Sequence, residues 1–516
     1  MLTDVHTSPR AVPAHPFWAS RQRPARLIAP GAVGVLGFLI AVVGSWVPSV
    51  WYDEAATVTS ATRSWAALGR EIQHVDIVHA TYYAFMHLWF AAVGYSPFTL
   101  RLPSAIAVGV TAALVVVLGV RLISIRVGVV AGVLFALLPR VTWMGAEGRS
   151  FAIGALLATA ATLLLLTALE RTNTSSRRAW PWWIAYAAVS FIGGAVFLYL
   201  VLMTVGHGVS VVAIRRLQRR SSRGPLLAWA VSAGAAILAV APLAVLSSAQ
   251  SAQISWIRHI SWHTVSEVLV TQFSYKNTGF AVLLWVLVAI AAAAAVRPTV
   301  VRQLVAVAGP WVLVPTLGLI AASMVTHPLY SPRYVAFATP AAALLMAAPT
   351  ALLPERWFRP AAIVVVVLAV GLTAPSWVAQ RTVTAKDDSA WSEVAALIGR
   401  QRLAEPSDAR DAILYGPVQR HPKATSRIIE ETYPAVFAGL RDPLLISPAG
   451  AGDSLWETHR PLSDAGSAVG EASTVWLVTA TKPDVRATVT ATLQRAGLHE
   501  AQQWKIARTW VIRYNR

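Results

Sequence analysis

The chain has 516 residues, of which 56% are hydrophobic and only 13% charged, and its mean hydropathy is +0.56. Soluble domains carry roughly a quarter of their residues as Asp, Glu, Lys or Arg, so this composition excludes both a water-soluble globular protein and a disordered chain. The absence of cysteine also excludes a disulfide framework, a Cys-ligated zinc and a thiol nucleophile.

The net charge of +19 invites a nucleic-acid partner, but its distribution points elsewhere. Residues 1–380 hold 26 Lys and Arg against 9 acids, whereas residues 381–516 hold 17 against 15. The excess sits in short clusters between apolar stretches, the pattern of the positive-inside rule. No nucleic acid is expected as a partner.

In chain order, residues 1–26 read as a basic cytoplasmic N-terminus, with Arg10, Arg21, Arg23 and Arg26 ahead of the first apolar stretch. That stretch is long and others follow it, so it reads as a retained anchor rather than a cleaved signal peptide. Stretches of about 17–22 residues, enough to cross a ~30 Å hydrocarbon core, lie near 27–47, 104–120, 127–143, 151–169, 181–197, 198–214, 226–247, 279–296, 303–323, 335–353 and 360–377. The expected fold is a polytopic α-helical membrane protein of about eleven transmembrane helices, with residues 27–380 as its membrane domain. With the N-terminus inside, the loops Arg121–Arg126, Glu170–Arg178, Arg215–Arg223, Arg297–Arg302 and Pro354–Arg359 face the cytoplasm and collect nearly every arginine cluster. The outer loops 48–103, 144–150, 248–278 and 324–334 collect Asp53, Glu54, Glu71, Asp76, Glu147 and Glu267.

His79–Tyr95 is apolar enough to span as well. Counting it would reverse every later loop and turn the Arg215–Arg223 cluster outward, so it reads as an interfacial helix, which its histidines and aromatics suit. Past Pro375 the composition changes, and residues 381–516 read as an extracytoplasmic soluble α/β domain. Helical periodicity runs through Ser389–Leu403 and Pro483–Ala496, and Ala412–Tyr415, Leu444–Ser447 and Thr474–Thr479 look like buried strands. Gln503–Tyr514 reads as a hairpin or edge strands. The Gly-rich Ala449–Gly452 lacks nucleotide-binding spacing and reads as a plain loop.

Carboxylates are expensive near a bilayer, so the few present need reasons. Asp53 and Glu54 follow the first span behind Trp51 and Tyr52, where two carboxylates could act as a general base and its positioning partner. The same loop holds Asp76, His79, Tyr82 and Tyr83, with Asp76 and His79 three apart, and ends in Arg101-Leu102-Pro103-Ser104. Glu147-Gly148-Arg149 and Tyr330-Ser331-Pro332-Arg333-Tyr334 complete the set, the second offering a guanidinium fork for a phosphate. Taken singly each cluster also fits a solvated loop or an arginine at lipid headgroups. Under one topology, however, all five fall on the same outer rim, where carboxylates can deprotonate an acceptor and arginines can hold an anionic leaving group.

At these residues the sequence resembles the GT-C superfamily of polytopic glycosyltransferases, in the branch of protein O-mannosyltransferases and lipid A aminoarabinose transferases. The matching points run in the family's order: Asp53-Glu54; His79, Tyr82, Tyr83, His87 and Trp89; Arg101 and Pro103; Glu147, Arg149 and Phe151; Pro332, Arg333 and Tyr334. They cover about residues 27–380. The resemblance implies inverting transfer of a sugar from a polyprenyl-phosphate donor to a cell-envelope glycan, lipid or protein acceptor on the extracytoplasmic face of a bacterial plasma membrane. Mannose is favoured, with arabinose and aminoarabinose as alternatives. It implies Asp53 as base with Glu54 beside it, and Arg333, Tyr334, Arg149, Glu147 and Arg101 at the donor phosphate and sugar. Asp76, His79, Tyr82 and Tyr83 would position the acceptor or the loop. Many relatives carry His-Pro-Pro where this chain has His79-Ala80-Thr81, which leaves the acceptor class and a divalent metal at His79 open.

Two other classes use parts of the pattern. A lipid or glycan flippase or transporter would place charges or broken helices at the bilayer midplane, whereas the acids here cluster at span ends. A scaffold presenting residues 381–516 would tolerate Asp53→Asn and fail on loss of that domain.

Overall fold

A computed structural model of the protein describes residues 23–174, 176–297, 299–404 and 410–516; residues 1–22, with the expected basic Arg10 and Arg21, lie outside the described residues. The first apolar stretch forms α1 (Arg23–Val42) and turns at Gly44, whose φ of 71° suits a residue without a Cβ. A Cβ there would also meet the Arg381 side chain at 2.7 Å. The long first loop folds into α2 (Tyr52–Ala61), α3 (Trp65–His74) and α4 (Ala80–Val93). The 14 residues of α4 reach about 21 Å at ~1.5 Å per residue, short of a ~30 Å core.

The bundle continues with α5 (Pro97–Leu122), α6 (Ile125–Leu137), α7 (Pro139–Met144), α8 (Phe151–Thr174), α9 (Ser176–Val196), α10 (Val201–Leu217) and α11 (Gly224–Ala249). It is completed by α12 (Trp262–Ser266), α13 (Thr278–Ala295), α14 (Arg302–Val325), α15 (Thr339–Ala347) and α16 (Glu355–Ala379). Among the described residues 9 helical segments are long and apolar enough to cross a membrane. The remaining two expected spans are helical too, but their apolar stretches are shorter, Ile28–Val42 within α1 and Ile125–Leu137 as α6. The stretch 127–143, read as one span, is two helices, because Pro139 has no N–H for the ladder and drives Leu138 to ψ 125°. Helices α5 and α6 meet through small residues: a Cβ on Gly119 would lie 2.4 Å from the Gly128 Cα, and one on Gly128 2.5 Å from the Val116 carbonyl oxygen.

The C-terminal region runs α17 (Trp391–Ala404), β1 (Ala412–Tyr415), β2 (Pro417–Val418), β3 (His421–Thr425), α18 (Ile428–Thr432), α19 (Pro434–Phe437), β4 (Leu445–Ser447), β5 (Thr458–His459), α20 (Ala465–Ala468), β6 (Thr474–Ala480), α21 (Arg486–Arg495), β7 (His499–Ile506) and β8 (Thr509–Asn515). Its main sheet has the order β1-β6-β8-β7, with β1 parallel to β6 and the other pairs antiparallel. The expected hairpin is β7–β8. Strand β4, expected to be buried, lies in a separate two-stranded ribbon with Ile446 61% exposed. One face of this region buries a core of its own, with Leu414, Leu477, Leu493 and Ile512, but the other face does not. Val50, Ala55, Val58, Tyr83, Met86 and Phe90 of the first loop share one core with Trp391, Ile398, Ile413, Ile428, Trp476 and Val511. The first loop is thereby clamped between the bundle and the C-terminal domain.

Candidate active site

Helix α2 starts directly after the extended residue Trp51 (φ −128°, ψ 177°), with Asp53 and Glu54 in its first turn, where a helix N-terminus favours carboxylates. Adjacent residues on a helix do not share a face, and these two part company. Glu54 points inward and is fully buried. Its Oε1 accepts from Arg101 Nε (2.8 Å), Lys386 Nζ (2.6 Å) and Gly148 N (2.8 Å), and its Oε2 accepts from Arg101 Nη2 (2.6 Å). Arg101 donates its remaining hydrogens to the carbonyls of Ser45 (2.7 Å), Pro48 (2.8 Å) and Ser49 (3.2 Å).

Lys386 bridges Glu54 to Glu147 Oε2 (2.9 Å) and to the Ala146 carbonyl (2.6 Å), and Glu147 Oε1 accepts from the Trp51 indole (2.7 Å). Two acids and two bases balance in the interior, as buried charges require. Burial raises both acids. Glu54, facing Arg101 and Lys386, is nevertheless held down at about 2, whereas Glu147 has Lys386 alone, faces Glu54 and stays raised.

Asp53 takes the other side of α2. Its Oδ2 pairs with Arg333 Nη1 at 2.7 Å, and the two side chains remain 23% and 19% accessible. The Arg333 guanidinium lies 4.6 Å from the ring of Trp256, 5.6 Å from Tyr334 and 5.9 Å from Trp51. Its Nε is buried without a partner among the described residues. Arg149 supports the pair from below, donating from Nη1 to the Asp53 carbonyl (3.0 Å), Thr57 Oγ1 (3.3 Å) and the Tyr83 hydroxyl (3.4 Å). Arg149 Nη2 lies 2.7 Å from His79 Nε2, and Asp76, at φ 57°, accepts from the Tyr83 hydroxyl at 2.7 Å. Tyr82 is buried with its hydroxyl unbonded among the described residues.

The sequence-based candidates therefore fall into two layers. Asp53, Arg333, Tyr334, Arg149, His79, Tyr83 and Asp76 form a partly open upper network. Glu54, Arg101 and Glu147 form a sealed layer beneath it. Arg101, expected at the donor phosphate, and Glu54, expected to work beside Asp53, expose no surface, because each satisfies the other's charge. His79 does not suit a metal, because its Nε2 faces the Arg149 guanidinium, which repels a cation; burial, then Arg149 and Arg333, push its ring well below the usual imidazole value and keep it neutral. Among the described residues no group of three or more His, Asp or Glu is placed to hold a metal ion.

Sequence reasoning missed Lys386, Trp256 and Arg140. Arg140 is buried between Trp143 and Tyr275, each 5.0 Å away, and donates to the Thr271 (2.7 Å) and Gln272 (3.0 Å) carbonyls. The signal for Arg140 was present, an arginine inside an expected span. Nothing local marks Lys386, which reads as one more charge in a linker that already carries Arg381.

The C-terminal domain closes over this end of the bundle. Tyr52 stacks on His421 (3.5 Å, 5°) and accepts from the Trp456 indole at 3.0 Å. Arg63 donates to the carbonyls of Ser454 and Leu455, both at 2.8 Å. A cavity of about 40 Å³ lies here, lined by Trp51, Tyr52, Gln419, His421 and Arg508 among others. A larger one of about 920 Å³ opens at the opposite ends of the helices, beside Leu122, Arg126, Gln218, Arg302 and Phe358, and no candidate residue lines it. The converging side-chain chemistry, not the volume, marks the site.

Among solved structures, ArnT from Cupriavidus metallidurans matches in the apo state (TM-score 0.58, 13% identity) and bound to undecaprenyl phosphate (TM-score 0.57, 12% identity). Each match covers 95% of this chain and 98% of that one. The chain shares the fold of that protein over nearly its whole length. An Archaeoglobus fulgidus oligosaccharyltransferase tethered with an acceptor peptide overlaps with a TM-score of 0.49 at 10% identity, over 95% of this chain and 74% of that one. No family model and no curated protein matches the sequence.

Proposed function

We propose that this chain is a glycosyltransferase that moves a sugar from a polyprenyl-phosphate donor to a cell-envelope glycan, lipid or protein acceptor. The observation that carries the reading is the pairing of Asp53 with Arg333, 280 positions apart in sequence, at a partly open end of a membrane bundle. An ArnT structure bound to undecaprenyl phosphate on the same fold supports a lipid phosphate as the sugar's carrier. In this reading the N-terminus is cytoplasmic, and residues 381–516 cover the site on the extracytoplasmic face of a bacterial plasma membrane.

Glu54 is saturated by four donors, which leaves Asp53 as the base. Asp53 Oδ1 carries no hydrogen bond among the described residues and is free to take the proton of an acceptor hydroxyl. The hydroxyl oxygen then bonds to the anomeric carbon from the face opposite the phosphate, and the carbon–oxygen bond to the phosphate breaks. The electron pair leaves with polyprenyl phosphate, and the anomeric configuration inverts. Arg333 neutralises the charge that develops on the phosphate, exchanging Asp53 for the donor as it binds. Its planar cation stays oriented by the rings of Trp256, Tyr334 and Trp51.

The test is incubation of the purified protein with undecaprenyl-phosphate mannose, arabinose and aminoarabinose, with release of undecaprenyl phosphate as the readout. Asp53→Asn is expected to lower turnover roughly 10²–10⁴-fold at unchanged protein yield. Wild-type turnover by that variant would overturn the reading.

A further inference from the structure

The segment that joins the bundle to the C-terminal domain reaches further into the site than a tether requires. Lys386 turns inward, and its buried ammonium is shared by Glu54 (2.6 Å), Glu147 (2.9 Å) and the Ala146 carbonyl (2.6 Å). The next two residues turn outward, and both occupy the left-handed region, Asp387 at φ 48° and Asp388 at φ 51°. Aspartate tolerates that conformation better than most side-chain-bearing residues, but two in succession are uncommon and need partners to hold them. Here the partners belong to the C-terminal domain. Asp387 pairs with Arg420 (3.0 Å) beside β3 and with Arg508 (3.2 Å) in the β7–β8 turn, and Arg508 also bonds Asp388. One side of a three-residue turn thus holds the sealed acid pair, and the other is gripped by the domain.

We propose that Lys386 is a positioning residue for the transfer reaction, set in place by the grip of Arg508 on Asp387 and Asp388, so that docking of the C-terminal domain and alignment of Asp53 are a single event. The inference rests on the reading of Asp53 as the base. The physical chain is short. Glu54 and Glu147 both lie within reach of one ammonium. Without it, two buried carboxylates face each other and Arg101 serves only Glu54. Glu147 then takes up a proton or moves, and it holds the Trp51 indole (2.7 Å). Trp51 precedes the α2 turn that presents Asp53, and its ring flanks Arg333 at 5.9 Å. The groups facing Glu147 are Lys386, Glu54 with Arg101 behind it and the Trp51 indole, with Arg333, Tyr82 and Tyr275 further out.

The experiment measures kcat against pH for the full chain in nanodiscs, using whichever of the three undecaprenyl-phosphate sugars is turned over. Lys386→Met is expected to lower kcat about a hundredfold near neutrality, because a buried ion loses its partner. Activity should recover toward acid pH, where Glu147 is protonated. Lys386→Arg should keep the wild-type profile. The double variant Lys386→Met/Glu147→Gln, which removes the anion together with its cation, should regain most of the lost kcat and lose the acid dependence. Arg508→Ala should lower kcat in the wild-type background but not in the double variant.

A merely structural lysine would lower yield and stability in Lys386→Met while kcat per folded molecule kept the wild-type value at every pH, and that result overturns the proposal. So does a wild-type profile for Lys386→Met. Should Lys386→Met fail to fold, the Arg508→Ala comparison between the two backgrounds decides. Asp53→Asn run alongside separates the two readings. Loss of turnover in Asp53→Asn with Lys386→Met unaffected sinks this inference alone, whereas turnover retained by Asp53→Asn sinks the base assignment and this inference with it.

Discussion

Replacing Glu54 by Gln tests whether the sealed charge layer holds the loop that carries Asp53 in place. Glu54 accepts four hydrogen bonds of 2.6–2.8 Å and carries one of the two negative charges that balance Arg101 and Lys386. Glutamine keeps the volume but has one acceptor oxygen, and its NH₂ meets Arg101 or Lys386 donor against donor. The carboxyl, against which burial works first, is held by Arg101 and Lys386 at about 2 instead of 4.5. At about 1.4 kcal/mol per pH unit, that gap makes the ionised form worth about 3 kcal/mol of stability, in line with about 3–5 kcal/mol for breaking a buried ion pair.

Because the folded value lies below the unfolded one, this stabilisation is complete above pH 4.5 and is lost as the pH falls toward about 2. The assay is SDS-induced unfolding of the purified protein in mixed micelles, followed by tryptophan fluorescence at about pH 7 and about pH 3. Glu54→Gln should be less stable by about 3 kcal/mol at neutrality, with the gap narrowing by about half at the lower pH. Equal stability of variant and wild type at neutrality, or a gap independent of pH, would refute the assignment of Glu54 to the structural layer.

Two further outcomes follow from the geometry. Arg333→Lys keeps the charge but loses the planar stack on Trp256 and the fork presented to a phosphate. Its kcat/KM for the donor should fall about ten- to thirtyfold, and an unchanged value would remove Arg333 from donor binding. Gly128→Ala places a Cβ 2.5 Å from the Val116 carbonyl oxygen, which is backbone and cannot swing aside. The variant should lose about 1–3 kcal/mol in SDS unfolding without a change in the pH dependence of turnover.

Much of the architecture was legible because an apolar run of spanning length has one stable form in a bilayer, a helix that satisfies its own backbone. For α4, composition tempted a span and the loop charges argued for an interfacial helix; the structure adds the length, since Gly94, at φ 77°, ends the helix after 14 residues. The break at Pro139 was readable in principle from the missing N–H. The β7–β8 hairpin was legible from alternation, whereas β4 was misjudged because a short apolar run does not say what covers it, and Ile446 is covered by nothing.

The sequence by itself settled that the long apolar segments are helices and which few carboxylates and arginines could matter, since both follow from local composition and from the cost of charge near lipid. It could not say which member of the Asp53-Glu54 pair is sealed and which stays accessible. Neighbours on a helix diverge, and the partner that claims each one lies far along the chain: Arg101 at 47 residues and Lys386 at 332 from Glu54, Arg333 at 280 from Asp53. Only the packing of the bundle against the C-terminal domain decides which carboxylate is sealed by cations and which is left partly open. That choice is electrostatic, made by groups that no local pattern connects.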